Sequence, residues 1–315
     1  MNTIYYPYLR GRQFELIALR ELVQKKLIGS HVIPIIEPIK LGAPLLKTVE
    51  VFKNANKKYA FIQNPEYGNF LEQCSRDNTN KEKLDKIFSE SQGLITAYLM
   101  NEDIVNKLSC NNDKGSLMII NKEHDDIRLF TKLYGTNDEP KYTLIPDERI
   151  FKRRIQHNKI LLEDYFKQEK RNADYKKRED DFFSSEHIDC IDDGYSGFSD
   201  YSIIGAGYNE SSFAPVAVAI HIVYFDEKSN LRIHHFVSDS NADFHDPAGK
   251  FGEALDHLVD WLDIHPDQFK TYGLQQFLKC KEKGNYPGLG TVKKYSIMHH
   301  LELMEHFLKG REACK

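Results

Sequence analysis

The sequence predicts an α/β protein with a TIM-barrel-like (β/α)8 body, followed by an appended C-terminal β-hairpin and helices. Over the first two thirds of the 315 residues, short apolar runs alternate with segments of helical periodicity. Eight such runs can be counted, which is the strand number of a closed barrel. The first run ends in LRGRQ, which lacks the glycine motif of a dinucleotide-binding sheet. An open doubly wound sheet with right-handed crossovers is the alternative.

The predicted strands are short and rich in apolar residues. Residues 4–9 form the first strand. Residues 32–39 are apolar except for Glu37, a pattern typical of a parallel strand covered by helices on both faces. The other strands are predicted at residues 59–63, 94–100, 116–121, 142–146, 159–166 and 198–205. The run at 159–166 could equally be helical.

Helices are predicted where apolar residues recur with a spacing of three and four. In residues 13–27, Phe14, Ile17 and Leu22 share one helical face, and Gly29 provides a stop. The following helices are predicted at residues 45–54, 81–91, 102–108, 125–134 and 148–156. The mixed-charge segment 167–181 predicts a solvated helix or loop, or alternatively a mobile cover over the barrel mouth.

The last third of the sequence departs from this alternation. Residues 213–225 and 231–237 flank a polar loop, which indicates an antiparallel hairpin. Helices are predicted at residues 249–262, 269–281 and 295–309. We therefore expect a barrel-like body over residues 1–212 and an α+β element over 213–315 that packs on the barrel and does not fold independently.

Composition excludes several classes of protein. The 43 basic and 47 acidic residues give a net charge of −4, which excludes a histone-like polycation but permits a local basic patch. No apolar run approaches the roughly 20 residues of a membrane helix, and the N-terminus lacks the features of a secretory signal. The five cysteines are scattered and never spaced as CxxC. We therefore expect a cytoplasmic protein without a membrane partner, a disulfide framework or a cysteine zinc site.

The polar residues that end the predicted strands are the candidates for chemistry, because barrel enzymes place their sites at these strand ends. Glu37, Asp147 and Asp200 are the candidate catalytic carboxylates. They could hold Mg²⁺ through oxygen ligands or divide into a general acid and a base. Arginine suits a phosphate or carboxylate because its guanidinium forms a planar fork. The candidate ligand-binding residues are Arg10, Arg12, Gln63, Asn121 and Asp164.

Each carboxylate also has a structural interpretation. Glu37 could form a buried ion pair with an arginine such as Arg10, since a buried charge needs a partner. Asp147 could cap the helix that follows it, and Asp200 could serve a turn or a cap.

Two histidines are weak candidates for a metal site. If the hairpin loop spans residues 226–230, His221 faces His235 across the two strands. Asp239 or Asp200 could then supply a third ligand. The alternative is a layer of aromatic and histidine rings packed against the barrel. The segment 284–294 contains three glycines before a helix but matches no phosphate-binding motif, so a tight loop is expected.

The stretches YYPYLRGRQFELIALREL and VIPIIEPI resemble the opening of a family of bacterial proteins related to the phage-borne "beta protein" family. That opening combines a Tyr/Pro strand, a basic turn, a Phe-Glu helix and a Pro-Ile-Ile-Glu-Pro strand. GFSDYSIIG, AIHIVYF, LRIHHFVSDSN and YPGLGTVKKYSIMHH are similar to a more specific branch, so the resemblance spans almost the whole chain. It implies a component of a mobile-element or anti-phage locus, with a nuclease-like partner encoded alongside. It supplies no catalytic residues.

Three functional hypotheses follow. The first is a defence-associated protein that recognises a phosphorylated or nucleic-acid ligand at the barrel mouth through Arg10, Glu37, Asp147 and Asp200. The second is a Mg²⁺- or carboxylate-dependent phosphoester hydrolase. The third is a non-catalytic scaffold or antitoxin that uses the hairpin and C-terminal helices as an interface. An enzyme would gather at least three strand-end polar groups in one pocket, whereas a scaffold would disperse them in salt bridges.

Overall fold

The computed structural model describes residues 3–109, 116–135, 139–208 and 216–313. These residues form two compact units. The barrel unit comprises the chain up to Glu163, the segment Glu186–Tyr201 and the residues from Leu308 onward. The second unit comprises Asp164–Ser185 and Ser202–Phe307. The predicted division after residue 212 does not coincide with these units, because the chain leaves the barrel at residue 164 and returns at residue 186.

The barrel unit contains a sheet of eight parallel strands, which confirms the predicted fold class. The first seven, in sheet order, are β1 (Tyr8–Leu9), β2 (Ile35–Ile36), β3 (Tyr59–Ile62), β4 (Leu94–Leu99), β5 (Leu117–Ile120), β6 (Tyr142–Ile145) and β7 (Lys159–Glu163). The next strand along the chain, β8 (Asp180–Ser184), belongs to the second unit, and β9 (Gly197–Asp200) completes the barrel sheet. The backbone N–H of Tyr6 donates to the Phe198 carbonyl at 2.8 Å, so β9 closes the sheet against the first strand segment.

Helices follow the barrel strands as expected for (β/α) units. They are α1 (Gln13–Gln24), α2 (Ala43–Asn54), α3 (Phe70–Arg76), α4 (Asn78–Ser89), α5 (Glu102–Leu108), α6 (Asp126–Tyr134), α7 (Arg149–Arg154) and α8 (Glu186–Asp189). Helix α1 buries the apolar face that includes Leu16, Leu19 and Leu22. The short α5 begins at Asn101, whose side chain accepts a hydrogen bond from the Ile104 N–H at 3.0 Å. The prediction missed α3 and α8, which are short.

Side-chain orientation in β1 is fixed by contacts across the barrel. The rings of Tyr6 and Tyr142 meet with centroids 6.2 Å apart, although β1 and β6 are not neighbours in the sheet. Tyr6 therefore points into the barrel, and strand alternation places Tyr8 and Arg10 on the same inner side. Tyr5 points outward, towards the helices.

The second unit is an α+β element. Its sheet has the order β10 (Ala219–Phe225), β11 (Leu231–Val237), β8, and the strands are antiparallel. A 3-10 helix (Asn172–Arg178) precedes β8, and the helices are α9 (Pro247–Ile264), α10 (Tyr272–Lys283) and α11 (Leu289–Ala313), whose residues from Leu308 onward belong to the barrel unit. Phe236, Leu258 and Phe277 lie in the buried core between sheet and helices. The hairpin register is confirmed, since His221 faces His235.

Two sequence-based boundaries need correction. The charged segment 167–181, predicted as a helix or loop, contains the 3-10 helix, but its last two residues belong to β8, whose Asp180 accepts hydrogen bonds from Arg232 of β11. The eighth barrel strand ends at Asp200 and does not continue to residue 205. The predicted start of the hairpin at residues 213–215 lies outside the described residues, as do Cys110 and Cys314. Within the described part of the chain, no helix has the length and apolar character needed to cross a membrane.

Candidate ligand-binding site at the barrel mouth

Glu37, which directly follows β2, is fully buried and accepts hydrogen bonds at both carboxylate oxygens. The hydroxyl of Tyr8 donates to Oε2 at 2.9 Å. The backbone N–H of Glu66 donates to Oε1 at 2.8 Å. Nε of Arg10 lies 3.9 Å from Oε2, so the ion pair considered from the sequence is present. The free-energy cost of burying the Glu37 carboxylate is therefore offset by two hydrogen bonds and one nearby cation.

Arg10, just beyond β1, lies between two tyrosine rings. Its guanidinium carbon is 5.3 Å from the ring centroid of Tyr67 and 5.4 Å from that of Tyr201. Both distances are within the range of cation–π attraction. Tyr201 also packs on Tyr8, with ring centroids 4.8 Å apart. The planar guanidinium is thus held in a fixed orientation by the aromatic side chains.

Lys122 brings a second cation to the same end of the barrel. It follows β5 by two residues, and its Nζ lies 5.1 Å from the ring centroid of Tyr8. The same Nζ contacts Oε2 of Glu66 at 3.1 Å. The Glu66 side chain is about half exposed, at 48%, so this part of the cluster faces solvent. We call the group Tyr8, Arg10, Glu37, Glu66, Tyr67, Lys122 and Tyr201 the mouth cluster.

Tyr8 remains a hydrogen-bond donor in this setting. Burial raises the pKa of its phenol well above the ordinary value, and the neighbouring Glu37 carboxylate raises it further. Deprotonation would place two negative charges side by side in a buried position. The Tyr8–Glu37 pair therefore stays in place beside the two cations of the mouth cluster, with Arg10 next to Glu37 and Lys122 next to the Tyr8 ring.

Asp200 lies away from the mouth cluster, although its backbone is at the correct end of the barrel. The Tyr5 hydroxyl donates to Oδ1 of Asp200 at 2.6 Å, and the Tyr5 ring stacks on Phe198. Because Tyr5 points outward, Asp200 lies on the helix-facing side of the sheet. Asp200 and Glu37 therefore point to opposite faces of the barrel sheet. A position at the end of a strand does not reveal which face a side chain occupies.

Asp147 also takes part in a different group. The Tyr195 hydroxyl donates to Oδ1 at 2.8 Å, and Lys152 forms an ion pair with the same oxygen. Partial burial favours a higher pKa for Asp147, but the hydrogen bonds from Lys152 and Tyr195 outweigh it, so the pKa is lowered. Asp147 does not cap α7, which begins after Glu148 without a side-chain cap.

The other predicted binding residues are dispersed. Arg12 is half-buried and directly precedes α1. The backbone N–H of Gln63 extends the strand ladder by donating to the Ala97 carbonyl at 2.9 Å. Asn121 is buried, and its Nδ2 donates to the Leu144 carbonyl at 3.0 Å. Asp164 lies in the second unit, where its carboxylate accepts hydrogen bonds from the backbone N–H groups of Phe166 and Ala206.

The histidine pair belongs to an aromatic layer in the second unit. The Nδ1 atoms of His221 and His235 are 2.7 Å apart, so one ring donates to the other. Rings of Phe166 and Tyr175 pack against both. Of the two candidates for a third ligand, Asp239 instead pairs with Lys176 and His257, and Asp200 accepts a hydrogen bond from Tyr5. Within the described ranges, no three His, Cys, Asp or Glu side chains gather in a way that could hold a metal ion.

The buried histidines predict a stability that falls in acid. Burial lowers the pKa of His221, and it lowers the pKa values of His235 and His299 to about 4. The unfolded chain binds these protons near pH 6.5, so the second unit loses stability as the pH falls from about 6.5 towards 4. Glu302 opposes this in part, because burial raises its pKa to about 7 and the folded state then binds a proton that the unfolded state lacks.

Urea unfolding followed by the fluorescence of Trp261, the single tryptophan, measures this pH dependence. We expect the midpoint to rise between pH 4.5 and 6.5. The double variant His221→Leu/His235→Phe should flatten the rise, whereas His157→Gln, at an exposed position in the barrel unit, should leave it unchanged. An equal pH dependence in all three proteins would contradict the assignment to the buried pair.

Sequence reasoning identified Arg10 and Glu37 but missed the other members of the mouth cluster. Strand alternation could have indicated two of the missed residues, Tyr8 and Lys122. Tyr8 shares the inner strand face with Arg10, since they are two residues apart, and Lys122 occupies the alternate face from Asn121. Glu66, Tyr67 and Tyr201 lie beyond the strand ends, where periodicity gives no orientation. Comparisons of this chain with protein-family models, with curated proteins and with solved structures found no match.

Proposed function

We propose that this chain is a cytoplasmic component of an anti-phage or mobile-element defence locus, and that it recognises a phosphorylated ligand at the barrel mouth. In this proposal it acts with a nuclease-like partner encoded nearby. The defence role and the partner rest on the resemblance described above. Ligand recognition rests on the mouth cluster.

The observation that carries the proposal is the position of two cations at one end of the barrel. Arg10 and Lys122 extend from β1 and β5, and both contact tyrosine rings of the same cluster. A guanidinium offers a planar fork to phosphate oxygens, and an ammonium adds a point charge. The two acidic members of the cluster differ in their access to solvent. Glu37 is buried beside Arg10, whereas Glu66 is exposed beside Lys122.

The pair Lys122 and Glu66 provides variants with opposite expected effects. Lys122→Gln should weaken the binding of an anion by about tenfold, because one charge-assisted contact is lost. Glu66→Gln should strengthen binding about two- to fivefold, because the competing carboxylate is removed from an exposed ion pair. Isothermal titration with pyrophosphate and with a mononucleotide measures both. If the two variants shift affinity in the same direction, or not at all, the anion does not bind between these residues.

The cellular test uses the native locus in a phage challenge. Wild-type protein should protect the cells, and Lys122→Gln should reduce protection. The control Arg76→Gln removes one positive charge from α3, where Arg76 pairs with Glu72 on the barrel exterior, and should protect fully. A wild-type locus that gives no protection against a broad phage panel would contradict the defence role. Full protection by Lys122→Gln would contradict the role of the mouth cluster.

A further inference from the structure

A second cationic surface lies on the barrel unit, beyond the C-terminal ends of β5 and β6. It is a cleft of about 800 Å³ lined by His124, Glu148, Arg149, Ile150, Arg153 and Arg154. We call it the arginine cleft. Its three arginines and one glutamate give a formal charge of +2 with the histidine neutral, in a chain whose net charge is −4. None of its residues belongs to the mouth cluster.

The arginines of this cleft are available to a ligand. Arg149, Arg153 and Arg154 are exposed, and within the described residues none of their guanidinium groups forms a hydrogen bond or an ion pair. The single acidic residue, Glu148, is engaged by His124, whose Nδ1 lies 3.0 Å from Oε2. The cleft therefore presents three guanidinium groups that are not paired with its single carboxylate.

The spacing of two of these arginines places like charges close together. Arg149 and Arg153 are four residues apart in α7, so they lie on the same helical face. Like charges at this spacing repel each other, although Arg153 lies in the last turn of α7, where a cation interacts favourably with the helix dipole. The two residues are about 6 Å apart along the helix axis, roughly one turn, so both side chains can reach a ligand with repeated negative charges.

We propose that the arginine cleft binds the phosphodiester backbone of a nucleic acid. Arginine forks match phosphate oxygens, and backbone contacts of this kind bind without reading sequence. The lining contains no Phe, Tyr or Trp and only one aliphatic side chain, Ile150, so it lacks the apolar and aromatic centre of a protein–protein interface. Because contacts to the phosphodiester backbone carry no sequence information, we expect little sequence preference. The arginine cleft shares no residue with the mouth cluster, so this proposal does not depend on the ligand proposed for the barrel mouth.

Fluorescence anisotropy with the full chain tests the proposal. The probes are a labelled 16-nucleotide single strand and the corresponding duplex, at several salt concentrations. The double variant Arg149→Gln/Arg153→Gln should weaken binding at low salt by about tenfold or more. It should also reduce the slope of log K against log salt by about 1.4 for the single strand, or about 1.8 for the duplex. The better-bound probe identifies the form of nucleic acid.

Two control variants distinguish binding at this cleft from a general charge effect and from binding at the barrel mouth. Arg76→Gln removes one positive charge elsewhere on the barrel unit, and Lys122→Gln alters the mouth cluster. Both should bind the oligonucleotides like wild type. An equal loss in Arg76→Gln would show a non-specific charge effect, and a loss confined to Lys122→Gln would place the strand at the barrel mouth. Polyglutamate binding as tightly as DNA would indicate an acidic protein partner, and any of these three results would overturn the proposal.

Discussion

Replacing Glu37 with alanine should lower the free energy of unfolding of the barrel unit by about 3–5 kcal/mol, the range observed when one member of a buried ion pair is removed. The change leaves the Arg10 guanidinium buried without its carboxylate at 3.9 Å. It also leaves the Tyr8 hydroxyl and the Glu66 N–H without the acceptors that they now use. Each unsatisfied donor in a buried position adds to the loss.

Urea unfolding followed by circular dichroism measures the effect. Glu37→Gln should cost less than Glu37→Ala, because the amide oxygen still accepts one of the two hydrogen bonds. Glu66→Ala is the matched control, since it removes a half-exposed carboxylate from the same cluster and should change stability by about 1 kcal/mol or less. If Glu37→Ala and Glu66→Ala are equally mild, the buried pair does not stabilise the barrel as described.

Gly273→Ala should destabilise the second unit by about 1–3 kcal/mol or more, which is the usual cost of overpacking. Gly273 lies in the first turn of α10, where this helix approaches α11 closely. A Cβ atom there would lie 2.3 Å from the carbonyl oxygen of Tyr295 and 2.7 Å from the backbone nitrogen of His299. Both obstacles are backbone atoms, so a side-chain rotation cannot relieve them. The helices would have to separate.

The neighbouring helix supplies the control for this substitution. Gly252 lies within α9, and a Cβ atom added there meets no atom within 4 Å. Gly252→Ala should therefore stabilise the unit by up to about 1 kcal/mol, the difference in helix propensity between the two residues. Trp261 fluorescence during urea unfolding reports both variants. Similar midpoints for Gly273→Ala and Gly252→Ala would show that α10 and α11 do not approach as closely as described.

The parts of the fold that depend on local pattern could be predicted from the sequence. Helix α5 was predicted at its observed bounds, and the cross-strand pair of His221 and His235 followed from the hairpin loop. Strand β8 was missed because its sequence, DDFFS, is acidic where a strand is usually apolar. Its charge is stabilised by Arg232 from a strand about 50 positions later, a contact that no local pattern contains.

The candidate site also has features that the local sequence pattern predicts and others that depend on distant contacts. The sequence indicated that Glu37 needed a cation, because a buried carboxylate without a partner is costly. Strand-end position alone could not separate the inward Arg10 from the outward Asp200, since that requires knowing which alternate face of each strand points into the barrel. The contact between Tyr6 and Tyr142 decides this, and it depends on barrel closure.

Closure of the barrel also determines when the first strand can finish folding during synthesis of the chain. The Ser199 hydroxyl donates to the Tyr6 carbonyl across 193 positions, and the first strand segment can complete its hydrogen bonds only when this late segment has been made. At a synthesis rate of about 5–20 residues per second, the nascent N-terminal segment waits roughly 10–40 s for its partner. During that interval its unpaired edge is open to other chains. Strand β1, which carries this edge, has only two residues, and such a short edge offers little template for aggregation on the ribosome.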